Sequence, residues 1–138
     1  MSTESNLIED RLPLALLLMR IAVFFVMAIW SLDKILNPAH ADAVFENFYF
    51  ISGLGTGVFI AIGVIQLIVE IGFLLGLYKT WTYGYVLVFH AISTASSWQQ
   101  HLSPLEPGNM LFQSSIPMLA ACIALFMLRD ADRRWSLG

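Results

Sequence analysis

The sequence predicts an all-α fold: a membrane four-helix bundle, with a short amphipathic segment at the membrane surface between its first two helices. Three observations predict it. The chain of 138 residues is 58% hydrophobic and 12% charged, with mean hydropathy +0.74, against roughly 45–50% apolar and 25% charged in soluble domains. Four apolar runs approach the roughly 20 residues that a helix needs to cross a bilayer. Three ionisable residues, Arg20, Glu70 and His90, sit inside those runs, where a lone charge is costly and a partner across the bundle is expected. The whole length, residues 1–138, reads as a single membrane domain.

The first run covers residues 12–32 and is interrupted only by Arg20. Glu4, Glu9 and Asp10 make the stretch before it acidic, and no small-x-small site ends it, so it reads as a membrane helix rather than a cleaved signal. Asn37-Pro38 stops it, because proline disfavours helix in the residue before it. Residues 39–50 mix His40, Asp42 and Glu46 with Val44, Phe45, Phe48, Tyr49 and Phe50, the composition of a helix lying on a membrane surface. Glycines at 53, 55 and 57 lead into the second run, residues 55–77, which holds Gln66 and Glu70. The tight Tyr78-Lys79-Thr80 turn makes the second and third helices antiparallel neighbours. The third run, residues 81–98, holds His90. Pro104 and Pro107 break the chain before the fourth, residues 109–128, which carries Gln113 and Pro117.

With four spans, both termini and the Lys79 turn share one side. Arg11, Lys79, Arg129, Arg133 and Arg134 lie there and Lys34 alone lies opposite, so the positive-inside rule puts both termini in the cytoplasm of a bacterial-type inner membrane. Trp30, Tyr49, Trp81, Trp98 and Trp135 fall near the expected interfaces, as an aromatic belt would. The net charge of -3 and the absence of a basic run argue against a nucleic-acid partner. The single cysteine, Cys122, rules out an intrachain disulfide, a Cys-x-x-Cys pair and a four-cysteine zinc site. No metal site is expected. His40, Asp42 and Glu46 read as a solvated face, and His90 and His101 are about 16 Å apart along one helix.

The candidate site is the buried polar set. Counted from the cytoplasmic ends, Arg20 lies roughly 13 Å deep, Glu70 roughly 10 Å and His90 roughly 14 Å. They are therefore expected in one layer, with Arg20 opposite Glu70. On the third helix His90, Ser93, Thr94, Ser97 and His101 share a face, and Tyr83 extends it inward. Gln66 and Glu70, four apart, share a face of the second. Arg20, Glu70 and His90 are the candidate catalytic residues: Arg20 to hold a carbonyl or oxyanion, His90 to exchange a proton, Glu70 to set the charge of both. Gln66, Ser93, Thr94, Ser97, Tyr83 and Lys34 are the candidate ligand-binding residues. A buried Arg–Glu pair also suits helix packing with no chemistry at all.

The chain resembles the DoxX-like family of small membrane proteins over residues 17–134. The resemblance rests on Arg20, on Trp30-Ser31-Leu32-Asp33-Lys34-Ile35-Leu36-Asn37-Pro38 and on Val69-Glu70-Ile71-Gly72-Phe73-Leu74-Leu75-Gly76-Leu77. It implies a four-helix membrane bundle and functional positions at Arg20, Lys34 and Glu70. Some members are subunits of thiosulfate:quinone oxidoreductase and others are linked to oxidative-stress or thiol defence, so it also implies a redox-linked or accessory role and a quinone as the cofactor to test. The lack of paired cysteines departs from any thiol-exchange role. Two other classes stay open: a non-catalytic scaffold subunit of a larger membrane complex, and a small-solute or proton carrier, perhaps as a homo-oligomer. Whether the protein is an enzyme is left open by the sequence.

Overall fold

The computed structural model describes residues 3–138 and is helical throughout, with no strand among those residues. Helix α1 spans Thr3–Leu36, α2 Pro38–Val44, α3 Thr56–Leu74, α4 Lys79–Ser96, α5 Trp98–Leu102 and α6 Ser115–Met127. A π-helical turn, Phe45–Tyr49, continues α2, and 3-10 turns at Met110–Ser114 and Arg129–Ala131 flank α6.

Local chemistry explains most boundaries. α1 ends at Leu36, directly before Asn37-Pro38, and Pro38 opens α2 at a position where its missing N–H costs nothing. α1 starts earlier than the apolar run, because the polar residues from Thr3 to Arg11 are helical too and mostly exposed. Gly76 closes α3. Its φ of +70° fits glycine, and the bonds Leu77 N to Gly72 O (2.9 Å) and Gly76 N to Phe73 O (3.1 Å) satisfy the last carbonyls in a Schellman arrangement. The third predicted run breaks at Ser97, so residues 81–98 become α4 plus the start of α5. The fourth begins as a 3-10 turn and becomes α-helical at Ser115, with Pro117 in its first turn.

α1 packs along α3, α4 along α6, and weaker α3–α4 and α1–α6 contacts close the arrangement. Leu16, Val23, Phe73, Tyr83, Val86, Cys122 and Leu125 form the core between them. The Phe73 and Tyr83 rings meet edge-on at 4.8 Å. Large apolar side chains cover the outside as well, among them Leu18, Phe25, Ile65, Ile68, Val88 and Met127. A water-soluble surface rarely carries so large an apolar area, whereas lipid accepts it. Three of the described helical stretches are long and apolar enough to cross a membrane: Thr3–Leu36, Thr56–Leu74 and Met110–Met127. α4, matched to the remaining predicted span, is not among them. Its inward stripe carries Thr82, Tyr83, His90 and Thr94, which lowers its hydropathy.

Gly63 allows α1 and α3 to approach. A Cβ there would stand 2.7 Å from the Ser31 carbonyl oxygen and 2.8 Å from Ile35 Cγ1. Gly63→Ala is therefore expected to destabilise the protein by about 1–3 kcal/mol through overpacking, measured by thermal unfolding in mild detergent. An unchanged midpoint would mean that the two helices do not sit this close.

Candidate functional site: a cleft holding Glu70 and His90

The buried polar residues form two clusters rather than one layer. Arg20 belongs to the first. It is fully buried, its Nη1 lies 3.5 Å from Asp132 Oδ2 and 3.4 Å from the Tyr83 hydroxyl, and its Nη2 donates to the Arg134 and Trp135 carbonyls. Tyr83 in turn donates to Asp132 Oδ2 at 2.6 Å, and Lys79 Nζ to the Asp132 carbonyl at 2.7 Å. Burial lowers the Lys79 pKa, which the Asp132 carboxylate opposes. Leu137 N bonds the Leu75 carbonyl at 2.8 Å, fixing the C-terminal tail over the α3–α4 turn.

Glu70 and His90 belong to the second cluster, which lines a cleft of about 720 Å³. The expected Arg20–Glu70 pairing is thus corrected. α1 and α3 run antiparallel in a register that sets Ser31, not Arg20, beside Glu70. Arg20 instead lies next to Gly76, near the end of α3, where a Cβ would be 3.2 Å from its Nη1. Depth counting failed because α1 extends beyond the apolar run and the tail folds back to supply the counter-charge.

Within the cleft, Ser31 Oγ stands 2.8 Å from each carboxylate oxygen of buried Glu70. Lys34 is close enough to interact with it electrostatically, but its Nζ reaches only the Trp30 carbonyl, at 3.4 Å. Asp33 pairs with His40 at 2.6 Å, not with Lys34, and the His40 ring stacks on Trp30. His90 Nε2 is 2.8 Å from the Ser115 carbonyl. A carbonyl only accepts, so Nε2 carries the proton and the neutral ring keeps its lone pair on Nδ1.

Of the predicted ligand-binding residues, Gln66, Ser93, Ser97 and Lys34 line the cleft. Thr94 does not, but its hydroxyl lies 3.3 Å from His90 Nε2. Tyr83 is in the Arg20 cluster. Ser97 and Ser115 hydroxyls both reach His101 Nε2, at 3.2 and 3.3 Å, and Gln113 donates to the Gln100 carbonyl at 3.0 Å. Met19, Val23, Met27, Phe112 and Met118 give the cleft apolar walls from α1 and the α6 segment. α2 and the π-helical turn cover one end through Ala41, Phe45 and Phe48, a place where π-helical turns are common.

Asp132 and Ser31 were missed. Asp132 sits in the charged string Arg129 to Arg134, which reads as solvated. Ser31 follows Arg20 by eleven residues, three turns on the same face, and that spacing was the available signal. Among the described residues no group of three or more His, Cys, Asp or Glu is placed to hold a metal ion. No protein-family model matches the chain, and no curated protein or solved structure matches it either.

Proposed function

We propose that the protein is a DoxX-type multi-pass protein of a bacterial-type inner membrane, redox-linked or accessory to a membrane oxidoreductase. In this view α1, α3, α4 and α6 form a four-helix bundle, and the cleft receives a quinone-like ligand dissolved in the lipid. The observation that carries the proposal is the cleft itself. A volume of about 720 Å³ lies in the range of roughly 300–1,000 Å³ usual for small-molecule sites, with apolar walls and a few convergent polar groups at Glu70, Gln66 and His90. Val26, Trp30 and Leu111 on its walls are exposed in the isolated chain, so a ligand reaches it from the side that a bilayer would cover. His90 Nδ1 would accept a proton there, and Glu70 would balance the resulting charge.

Topology and charge support the placement. The tail bonds the α3–α4 turn, so Lys79, Arg129, Arg133 and Arg134 gather at one end, with Lys34 about 21 Å along α1 from Arg20. That asymmetry favours cytoplasmic termini. A second use of the site, proton carriage, is favoured by one observation: Ser115 joins His90, through its carbonyl, to His101, through its hydroxyl. Proton flux into liposomes that is unaffected by His90→Ala would count against it.

Ligand binding is expected to raise thermal stability. In nanodiscs, a short-chain benzoquinone or its hydroquinone at about a hundred times its Kd should add about 2.7 kcal/mol. Ala22→Trp, which fills the cleft from an exposed wall position, should abolish the gain. A gain that survives Ala22→Trp would place binding elsewhere.

A further inference from the structure

We infer that the cleft selects its ligand through hydroxyl groups that the ligand donates: a neutral phenolic, hydroquinone-like molecule in preference to the carbonyl-bearing quinone. The inference rests on the cleft as the ligand site and specifies which chemistry it recognises.

The polar end of the cleft is rich in acceptors and short of donors. Glu70 offers two oxygens, with about four lone-pair directions between them. Both share the single proton of Ser31 Oγ. Gln66, one turn away on the same face, has a buried Oε1 with no partner. His90 adds the lone pair of Nδ1, because Nε2 is committed to the Ser115 carbonyl. The nearby hydroxyls are spent on the backbone: Ser97 on Ser93 and Thr94 carbonyls, Ser115 on Phe112, Ser114 on Leu111. Arg20, the donor the sequence offered for a ligand carbonyl, is held by Asp132, Tyr83 and the tail and does not line the cleft. Tyr85, whose buried hydroxyl is also unpartnered, lies outside the lining and leaves these acceptors facing the cleft.

Buried acceptors without donors are costly, and a ligand hydroxyl removes that cost while a ligand carbonyl adds another acceptor. Lys34 keeps spare donors near the mouth, where it serves an ether or the second oxygen of the ring. Its positive charge and the apolar walls disfavour a cationic amine as the donor.

The test is equilibrium dialysis of nanodiscs, with empty nanodiscs as the partition control, against three probes of one size under anaerobic conditions. These are tetramethylhydroquinone, tetramethylbenzoquinone and the dimethyl ether of the hydroquinone. The expected result is binding of the hydroquinone about tenfold or more tighter than either other probe, the scale of one hydrogen bond to a charged acceptor. Glu70→Gln, which adds a donor, should shift the preference toward the quinone. Equal or tighter quinone binding that Ala22→Trp removes would overturn the donor selection and leave the cleft as the site. Binding of none of the three would overturn both.

Discussion

Asp132→Ala is expected to destabilise the protein by about 3–5 kcal/mol, because it strands a fully buried cation. Arg20 and Asp132 are both fully buried, so water cannot replace the lost carboxylate. The same change removes the acceptor of the Tyr83 hydroxyl. The tail should loosen with it, since Arg20 holds the Arg134 and Trp135 carbonyls. Thermal unfolding in mild detergent reads the first effect, and faster trypsin cleavage after Arg134 reads the second. The double variant Arg20→Met with Asp132→Leu should recover most of the loss, as apolar replacements of buried ion pairs often do. If Asp132→Ala unfolds with the wild-type midpoint and resists trypsin equally, the tail is not docked as described.

Glu70→Gln should have the opposite profile. The amide keeps the size of the side chain and an oxygen for the Ser31 hydroxyl, so the folded yield should change little. Ligand binding and any ligand-dependent activity should fall about tenfold or more, because a charged acceptor facing the cleft has gone. Equal loss of folded yield and of binding would make Glu70 a packing residue. The contrast between the two variants is the point: the Arg20 cluster secures the chain end, and the Glu70 cluster faces a space.

The all-helical fold was legible because apolar runs and their breakers are local signals. Asn37-Pro38 marks the end of α1, and the Lys79 turn marks the join of α3 to α4. The relevance of Glu70 and His90 was legible for the same reason, since an ionisable group in an apolar run needs burial whatever its partner. Their partners were not. Pairing depends on helix register, which Gly63 sets by admitting the Ser31 backbone, and no count from helix ends carries that information. Arg20 shows the difference. Its burial followed from the sequence, but its counter-charge came from Asp132, 112 positions away in the chain, amid residues that look like a solvated tail. The polar face of α4 was seen as one stripe, and the structure divides it: Tyr83 goes to Arg20, His90 and Ser97 to the cleft.

Photoaffinity labelling with an azido-quinone in nanodiscs tests the cleft most directly. The predicted result is adducts confined to Met27 and Trp30 on α1 and to Phe112 and Met118 near and on α6, all lost in Ala22→Trp. Adducts on the outer faces at Phe25, Ile68 or Val88, undiminished by Ala22→Trp, would contradict it.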